Sequence, residues 1–319
     1  MKCVFPAIFF FVSFSCFSNA LGVCLEDSVT IQTDSLSAAL KYYDEGDYTK
    51  AVNLFLPLAL NGNSQAQERL GYCFYKGYGV EQNYAQAVKW YRKAAGQGVS
   101  YAQYNLGQCY NFGIGVTKNY AQAVKWYRKA AEQGDAEAQN NLGCCYCFGN
   151  GVTKNYAQAV KWYRKAAEQG AAAAQHNLGG CYYNGNGVTK NYAQAVKWFR
   201  KAAEQGVASS QFALGECYYK GEGGTKNYAQ AVKWFKKSAE QGNAEAQYYL
   251  GLCYEQGKGL KRNEKVAFYW YSKAAEHGNV LAQRKILWCY LRGKGVERSY
   301  SKALRLFGKV LLEHGLFGK

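Results

Sequence analysis

The sequence has little proline and little histidine, and each scarcity excludes a class of protein or site. Only two prolines, Pro6 and Pro57, occur in 319 residues, whereas 49% of the residues are hydrophobic. Such a chain is not a disordered tail protein, and it is long enough to bury a large core. The three histidines, His176, His277 and His314, are far apart and do not pair with carboxylates at the spacing of metal ligands. The sequence therefore predicts no metal site.

Short motifs that carry catalytic chemistry are also missing. The sequence contains no GxSxG nucleophile elbow, no P-loop and no HExxH zinc motif. Paired carboxylates are absent from the positions that recur along the chain. A GxGV segment recurs many times, which indicates a turn rather than a phosphate-binding loop. We therefore predict a protein that is not an enzyme and that uses no cofactor.

Long hydrophobic runs are absent except at the N-terminus. Lys2 precedes an almost wholly apolar stretch at 4–17, and Ser18, Asn19 and Ala20 are small residues of the kind that signal peptidase reads. This pattern predicts a signal peptide at 1–20 and a lead-in at 21–34. The alternatives are a membrane anchor, for which the run is short, and a lipoprotein site at Cys24, where the preceding Val23 is too large.

The predicted signal peptide implies an exported protein, which could be periplasmic, secreted or held at the cell surface of a bacterium. Lysines interrupt every later apolar segment, so we expect no integral membrane span after cleavage.

The rest of the chain repeats with a period of 36 residues. The segment KNYAQAVKWYRKAAEQG occurs at 118–134 and again, unchanged, at 154–170. Seven full repeats lie at 63–98, 99–134, 135–170, 171–206, 207–242, 243–278 and 279–314. A divergent N-terminal helix pair at 35–62 and a short tail at 315–319 flank them. A repeat of this length that cannot bury its own apolar face indicates a stacked array.

The repeat at 99–134 shows why each copy forms two helices. Apolar residues recur at helical spacing in its first half, and Gly113 follows them in the position of a left-handed helix cap. Gly115 then allows a turn, and Asn119 is a suitable N-cap for a second helix. The second helix ends at Gly134. The predicted first-helix face is Ala102, Leu106, Cys109 and Tyr110. The predicted second-helix face is Tyr120, Ala123, Tyr127 and Ala130, widened by Trp126.

These features resemble the Sel1-like repeat family, which is related to the tetratricopeptide repeat (TPR). The resemblance is carried by the LG pair, the GxGV turn, the Ala-Val-x-Trp helix and the AAEQG ending, over residues 63–298 and more weakly from 35 to the C-terminus. It implies an all-α, right-handed superhelical solenoid of antiparallel helix pairs. It also implies a scaffold or adaptor that holds proteins together, often exported in bacteria and often involved in host contact or envelope processes.

The copies differ mainly along one stripe of each first helix, at positions spaced i, i+4, i+7 and i+8. The resemblance places first helices on the concave face. Variable aromatic residues there suit recognition of a protein or peptide. The alternative is that these positions vary freely or pack against neighbouring repeats. The predicted partner-binding residues are Tyr72, Tyr104, Gln108, Asn111, Phe112, His176, Tyr183, Phe212, Glu216, Tyr219, Tyr248 and Trp288.

Cysteines form a second series. Seven recur once per repeat on the apolar face, and we predict that they are small buried hydrophobes that do not bridge one another, because equivalent helices lie too far apart. Cys144 and Cys147 instead fall on the variable stripe, as accessible thiols that could form a strained local disulfide, join a metal site or do neither. A cysteine-rich branch of the family has been discussed as penicillin-binding, but it carries two cysteines per repeat where this chain has one.

The formal charge is +17, and the basic residues recur mainly on the second helix of each repeat. They could bind an anionic polymer such as an envelope glycan or lipid, or they could simply keep the array soluble. They are not interleaved with aromatic residues in a groove, so nucleic acid is not a predicted partner. We therefore expect a monomer that binds a protein or peptide. The alternatives are anionic polymer binding and, third, hydrolysis of an envelope substrate.

Overall fold

The computed structural model describes the backbone of residues 34–313 and the side chains of residues 34–306. The predicted signal peptide, Cys24, all but the last residue of the lead-in, and the tail at 315–319 lie outside the described residues. Sixteen helices occupy the described part of the chain. They are α1 (34–44), α2 (Tyr48–Leu60), α3 (Ser64–Lys76), α4 (Tyr84–Gly96), α5 (Ser100–Phe112), α6 (Tyr120–Glu132), α7 (Ala136–Phe148), α8 (Tyr156–Glu168), α9 (Ala172–Asn184), α10 (Tyr192–Glu204), α11 (Ala208–Lys220), α12 (Tyr228–Glu240), α13 (Ala244–Gln256), α14 (Glu264–Glu276), α15 (Val280–Arg292) and α16 (Tyr300–Glu313).

The helix boundaries follow the local signals of the sequence. Gly113, at the end of α5, has a left-handed φ of 74° and its N–H donates to the Cys109 carbonyl. The Asn119 side chain accepts a hydrogen bond from the Gln122 N–H at 3.0 Å, as an N-cap should. Gly115 has a φ of 65°. The cap, the turn and the N-cap predicted for this repeat are therefore confirmed.

The chain forms two compact bodies, each built from helices that pack on their neighbours in sequence. In the N-terminal body, residues 34–130, α2 packs on α3, α3 on α4 and α4 on α5. In the C-terminal body, from residue 131, consecutive helices from α7 to α16 pack in the same way. The predicted all-α class and the solenoid of antiparallel helix pairs are confirmed.

Close packing within each pair depends on the glycine of the LG motif. A Cβ added to Gly107 would lie 2.6 Å from the Tyr127 ring, and one added to Gly215 would lie 2.7 Å from the Phe235 ring. Any side chain there would push the second helix away from the first. The recurring glycine and the recurring aromatic residue of the second helix are therefore one packing device.

The cores between helices contain the predicted apolar faces. Ala102, Leu106 and Cys109 are at most 1% exposed, as are Ala123 and Tyr127 on the second helix of the same repeat. Trp126 is half-buried beside this core. The burial of the two faces confirms the helical periodicity read from the sequence.

The periodic cysteines are buried free thiols, as predicted. They are Cys73, Cys109, Cys145, Cys181, Cys217, Cys253 and Cys289. Burial raises the pKa of Cys217 to about 12 and that of Cys109 to about 11. The protonated thiol therefore dominates at neutral pH, and these side chains act as small apolar residues. Along the described helices, none is both long enough and apolar enough to cross a membrane.

Candidate partner-binding surface

The variable stripe consists of four positions on each first helix, spaced i, i+4, i+7 and i+8. In the N-terminal body they are residues 68, 72, 75 and 76 on α3 and residues 104, 108, 111 and 112 on α5. In the C-terminal body they recur every 36 residues on α7, α9, α11, α13 and α15, from 140, 144, 147 and 148 to 284, 288, 291 and 292. Two of the predicted binding residues are well exposed, Phe112 at 64% and Trp288 at 52%. The others are half-buried rather than open to solvent. These half-buried residues are Tyr72, Tyr104, Gln108, Asn111, His176, Tyr183, Phe212, Glu216, Tyr219 and Tyr248.

In the N-terminal body, hydrogen bonds hold the stripe residues of α5 in place. Gln108 donates to the Tyr104 hydroxyl at 2.6 Å, and the Tyr127 hydroxyl donates to Gln108 at 3.1 Å. On α3, the Tyr72 ring lies 6.4 Å from the Tyr101 ring. The stripe of this body is therefore joined to the second helix and to the next first helix.

In the C-terminal body, the aromatic stripe residues form a contiguous group of rings. The Phe212 ring lies 5.9 Å from that of Phe235 and 5.6 Å from that of Tyr249. The Tyr219 ring lies 5.7 Å from Tyr249 in a T-shaped arrangement, and Tyr248 contacts Tyr249 in the same way. Such ring contacts add packing energy beyond burial, so much of the aromatic character of the stripe contributes to the fold.

Charged groups pair across the same surface. Lys220 lies 2.6 Å from the Glu216 carboxylate and also donates to the Tyr183 hydroxyl at 3.3 Å. The Tyr183 hydroxyl donates in turn to Glu222 at 2.7 Å. Lys258 donates to the Tyr219 hydroxyl at 3.0 Å. The structure thus brings Tyr183, Glu216 and Tyr219 into networks that cross from one repeat to the next.

His176 is held on α9 by a polar contact with α11. Its Nδ1 lies 2.8 Å from the hydroxyl of Ser210, and its ring lies 5.6 Å from that of Phe199. Burial lowers the pKa of His176, which favours the neutral ring at physiological pH. No carboxylate hydrogen-bonds to this ring among the described residues, so the arrangement of a catalytic triad is not present here.

Cys144 and Cys147 are half-buried free thiols. The Tyr163 hydroxyl donates to the Cys144 sulfur at 3.4 Å, and burial raises the pKa of Cys144. Within residues 34–306, no group of three or more His, Cys, Asp or Glu side chains is placed to hold a metal ion. The pair is thus partly covered, and its accessibility to reagents stays a prediction.

Glu68 is the most unusual stripe residue. It is only 6% exposed, its Oε1 has no hydrogen-bond partner among the described residues, and its Oε2 lies 3.5 Å from the Nε of Arg69. Burial raises the pKa of Glu68, and the neighbouring Arg69 opposes that effect. The carboxylate is therefore poorly compensated when charged.

Replacing Glu68 by glutamine should stabilise the protein at neutral pH. Because the pKa of Glu68 is higher in the folded state, protonation favours folding, and that stability is lost as the pH rises above the ordinary value of 4.5 and through the folded-state pKa. We expect Glu68→Gln to raise the free energy of unfolding by about 1 kcal/mol at pH 7, because a buried polar group without adequate partners costs about 1–3 kcal/mol, and more when it is charged. At pH 4 the gain should be close to zero. Urea unfolding at pH 4 and pH 7 measures this gain in stability. An equal gain at both pH values would contradict the idea that the charge of the Glu68 carboxylate is responsible.

The second helices carry the repeated basic face. Lys165 lies 4.7 Å from the centroid of the Trp162 ring, and Arg164 donates to the Tyr182 hydroxyl at 2.8 Å. Lys161 joins them along a shallow surface cavity. The same lysine–tryptophan contact recurs at 4.9 Å between Lys201 and Trp198. Aromatic groups thus hold Arg164, Lys165 and Lys201 against the protein surface.

The structure adds residues that the sequence analysis did not select. Tyr249 and Lys285 occupy the position next to the first residue of the stripe, and they contact Tyr219 and Glu255 respectively. Phe148 is 69% exposed. Lys258, which donates to the Tyr219 hydroxyl, lies in the turn that follows α13. The position of Tyr249 and Lys285 also varies between copies, as Arg69, Asn105, Asn141, Asn177, Ala213, Tyr249 and Lys285, so a wider stripe would have included it.

Comparisons with known proteins agree with this architecture. The Sel1 repeat family model matches seven times, at 64–99, 100–135, 136–170, 172–207, 208–243, 244–279 and 281–309. The crystal structure of a protective antigen present in uropathogenic Escherichia coli strains, with an SLR fold, is similar with 38% identity and a TM-score of 0.81 over 91% of this chain. The present chain spans 63% of the length of that antigen.

A Sel1 repeat protein from Oxalobacter formigenes is also 38% identical, with a TM-score of 0.69, covering 76% of this chain and 96% of its own. A search of curated proteins found no significant match. Sel1 repeats commonly act as scaffolds for protein–protein interaction and are generally not catalytic. Matched by this family model over most of its length, the chain belongs to the Sel1 repeat family.

Proposed function

We propose that this chain is an exported scaffold that binds a protein or peptide partner through the variable stripe of its first helices. One observation carries the proposal. The positions that are constant between repeats are explained by stacking, as with Gly107 and Tyr127, whereas the variable positions hold aromatic and charged side chains in defined contacts. The chain thus presents a different, ordered chemical surface in each repeat.

Order matters because binding must immobilise the side chains that it uses. Each free, flexible side chain at an interface costs about 0.5–1.5 kcal/mol when it is fixed. The hydrogen bond between Lys258 and Tyr219 and the ring contact between Tyr219 and Tyr249 remove part of that cost before a partner arrives. Phe112, Phe148 and Trp288, on the same stripe, remain exposed and offer the apolar area that a partner could cover.

Export is supported by the signal-like segment at 1–20. It also fits the similarity to an antigen described as protective in uropathogenic E. coli. We propose a periplasmic, surface or secreted location and a role in host contact or envelope processes. The partner meets the stripe outside the cytoplasm.

A capture experiment with matched variants tests the proposal. Replacing Phe112 and Phe148 by serine removes two exposed rings from the stripe, whereas replacing Leu60 and Leu304, which are 63% and 70% exposed, removes apolar area from second helices. We expect the phenylalanine variant to lose the exported proteins that the wild-type chain retains, and the leucine variant to keep them. Loss of the captured proteins in both variants, or in neither, would argue against partner binding through the stripe.

The second candidate function is binding of an anionic polymer, which is favoured by the three cations Lys161, Arg164 and Lys165 in a cavity that also contains one carboxylate, Glu168. Such binding should fall steeply between low and moderate salt. Binding through exposed aromatic rings should change little over the same range of salt. If retention of the wild-type partner is abolished by moderate salt and unaffected by Phe112→Ser, the basic face is the functional one. The third alternative, envelope hydrolysis, would require turnover of an envelope substrate in a direct assay.

A further inference from the structure

A cavity opens between α13 and α15, near the end of the repeat series. Its volume is about 270 Å³. The lining side chains are Glu255, Lys285, Trp288, Cys289, Arg292 and Lys294. Trp288 and Arg292 lie on the variable stripe, and Lys294 follows in the turn. No other first helix has a tryptophan at the position of Trp288.

Trp288 gives this cavity an exposed apolar wall. The Trp288 indole is 52% exposed, and the Arg292 guanidinium lies 4.8 Å from the centroid of the Trp288 ring. Tryptophan and arginine are both enriched among the residues that contribute most of the binding energy at protein interfaces, and a guanidinium is attracted to the face of an indole. The stacking also holds the planar guanidinium ready to bind a carboxylate.

The charge of the cavity is not balanced from within. Its single carboxylate, Glu255, lies 2.6 Å from Lys285 and accepts a further hydrogen bond from Tyr271 at 2.8 Å. Both hydrogen bonds are made to Oε2 of Glu255. Among the residues whose side chains are described, no carboxylate forms an ion pair with Arg292 or Lys294. Although burial opposes it, the hydrogen bonds from Lys285 and Tyr271 and the charges of Lys285 and Lys294 lower the pKa of Glu255. One carboxylate therefore faces three cations, and the cavity carries an excess of two positive charges.

We propose that this cavity binds an acidic peptide segment of the partner, with Arg292 and Lys294 receiving carboxylates and Trp288 packing against the apolar part of the peptide. The proposal rests on the function proposed above and names the chemistry of the partner at one place on the stripe. An inorganic anion could satisfy the cations but has no apolar part to contact Trp288.

Fluorescence anisotropy with a labelled peptide tests the assignment on the full chain. The probe alternates pairs of glutamates with leucine and glycine, and its counterpart has glutamine in place of glutamate. Arg292→Gln with Lys294→Gln should weaken binding of the acidic probe by about tenfold, since carboxylate contacts of this kind contribute about 1.5 kcal/mol or more. The matched variant, Lys161→Gln with Lys233→Gln, removes the same charge from second helices and should change affinity by less than about twofold.

Trp288→Ser should weaken binding further, and that loss should persist at high salt because apolar contact is not screened. All five substituted side chains are exposed, and unchanged unfolding midpoints verify that the fold is intact. Equal losses in both charge variants, or equal affinity for the glutamine peptide, would overturn the proposal. So would displacement by inorganic phosphate together with full affinity in Trp288→Ser, which indicates a simple anion site. If the acidic probe does not bind but the phenylalanine variant still loses its captured partner, only the present inference fails.

Discussion

Replacing Gly187 by alanine should lower the free energy of unfolding by about 3 kcal/mol or more. Gly187 has a φ of 72°, where an L-residue is strained by about 1–2 kcal/mol. An added Cβ would also lie 2.3 Å from the carbonyl oxygen of Tyr156, the first residue of α8. Because this contact is with backbone, it can be relieved only by moving the turn away from α8.

Gly170 provides a matched control. It also has a left-handed φ, of 98°, but an added Cβ would meet nothing within 4 Å. Gly170→Ala should therefore lose only the strain component, about 1 kcal/mol. Urea unfolding of both variants measures the difference. Equal losses would show that the contact between the turn and α8 does not matter. A broader transition in Gly187→Ala is also expected, because neighbouring repeats would unfold less cooperatively.

Replacing Gln211 by alanine should cost about 2–3 kcal/mol, the second large effect. Gln211 is 4% exposed and donates to the Ala203 carbonyl at 3.2 Å. Its oxygen accepts a hydrogen bond at 2.8 Å from Gln241, which also donates to the Gly206 carbonyl at 3.0 Å. Alanine would take the Gln211 donor from the Ala203 carbonyl, which keeps its bond from the Gly206 N–H at 3.1 Å, and would leave one N–H of Gln241 without its acceptor. The same glutamine series recurs along the array, for example between Gln67 and Gln97.

A double-mutant cycle of Gln211→Ala and Gln241→Ala isolates the contact between them. We expect a coupling of about 1 kcal/mol, because the second substitution removes a donor that the first has already left unpaired. Gln194→Ala on α10 is the control. The Gln194 side chain makes no hydrogen bond to the described residues, and this change should alter stability by less than about 0.5 kcal/mol. Additive losses would mean that the two glutamines act independently.

The helices, their ends and the buried faces could be predicted from the sequence because the forces that set them act locally. An N-cap such as Asn119 bonds to a backbone group three residues away, and a helical face is set by a period of 3.6 residues. The repeat itself then specifies stacking, since one helix pair cannot bury its own apolar face. The same reasoning identified the seven periodic cysteines as buried.

The sequence also showed which positions vary, but it did not show how much each one is exposed. Phe212 and Tyr219 are half-buried because Phe235 and Tyr249 lie against them, and Tyr249 belongs to the following repeat. Phe148 and Trp288 remain exposed although they lie on the same stripe. Burial at these positions depends on the side chain that a different helix presents, which no pattern within one helix contains.

The sequence by itself determined the secondary structure, the repeat and the family of this protein. Only the tertiary structure decided that Gly187 meets the backbone of Tyr156, and that Lys285, Arg292 and Lys294 line one cavity with the single carboxylate of Glu255. The physical reason is the separation along the chain of the residues that interact. Caps and helical faces depend on residues a few positions apart, whereas contact distances and charge balance depend on side chains about thirty residues apart that only packing brings together.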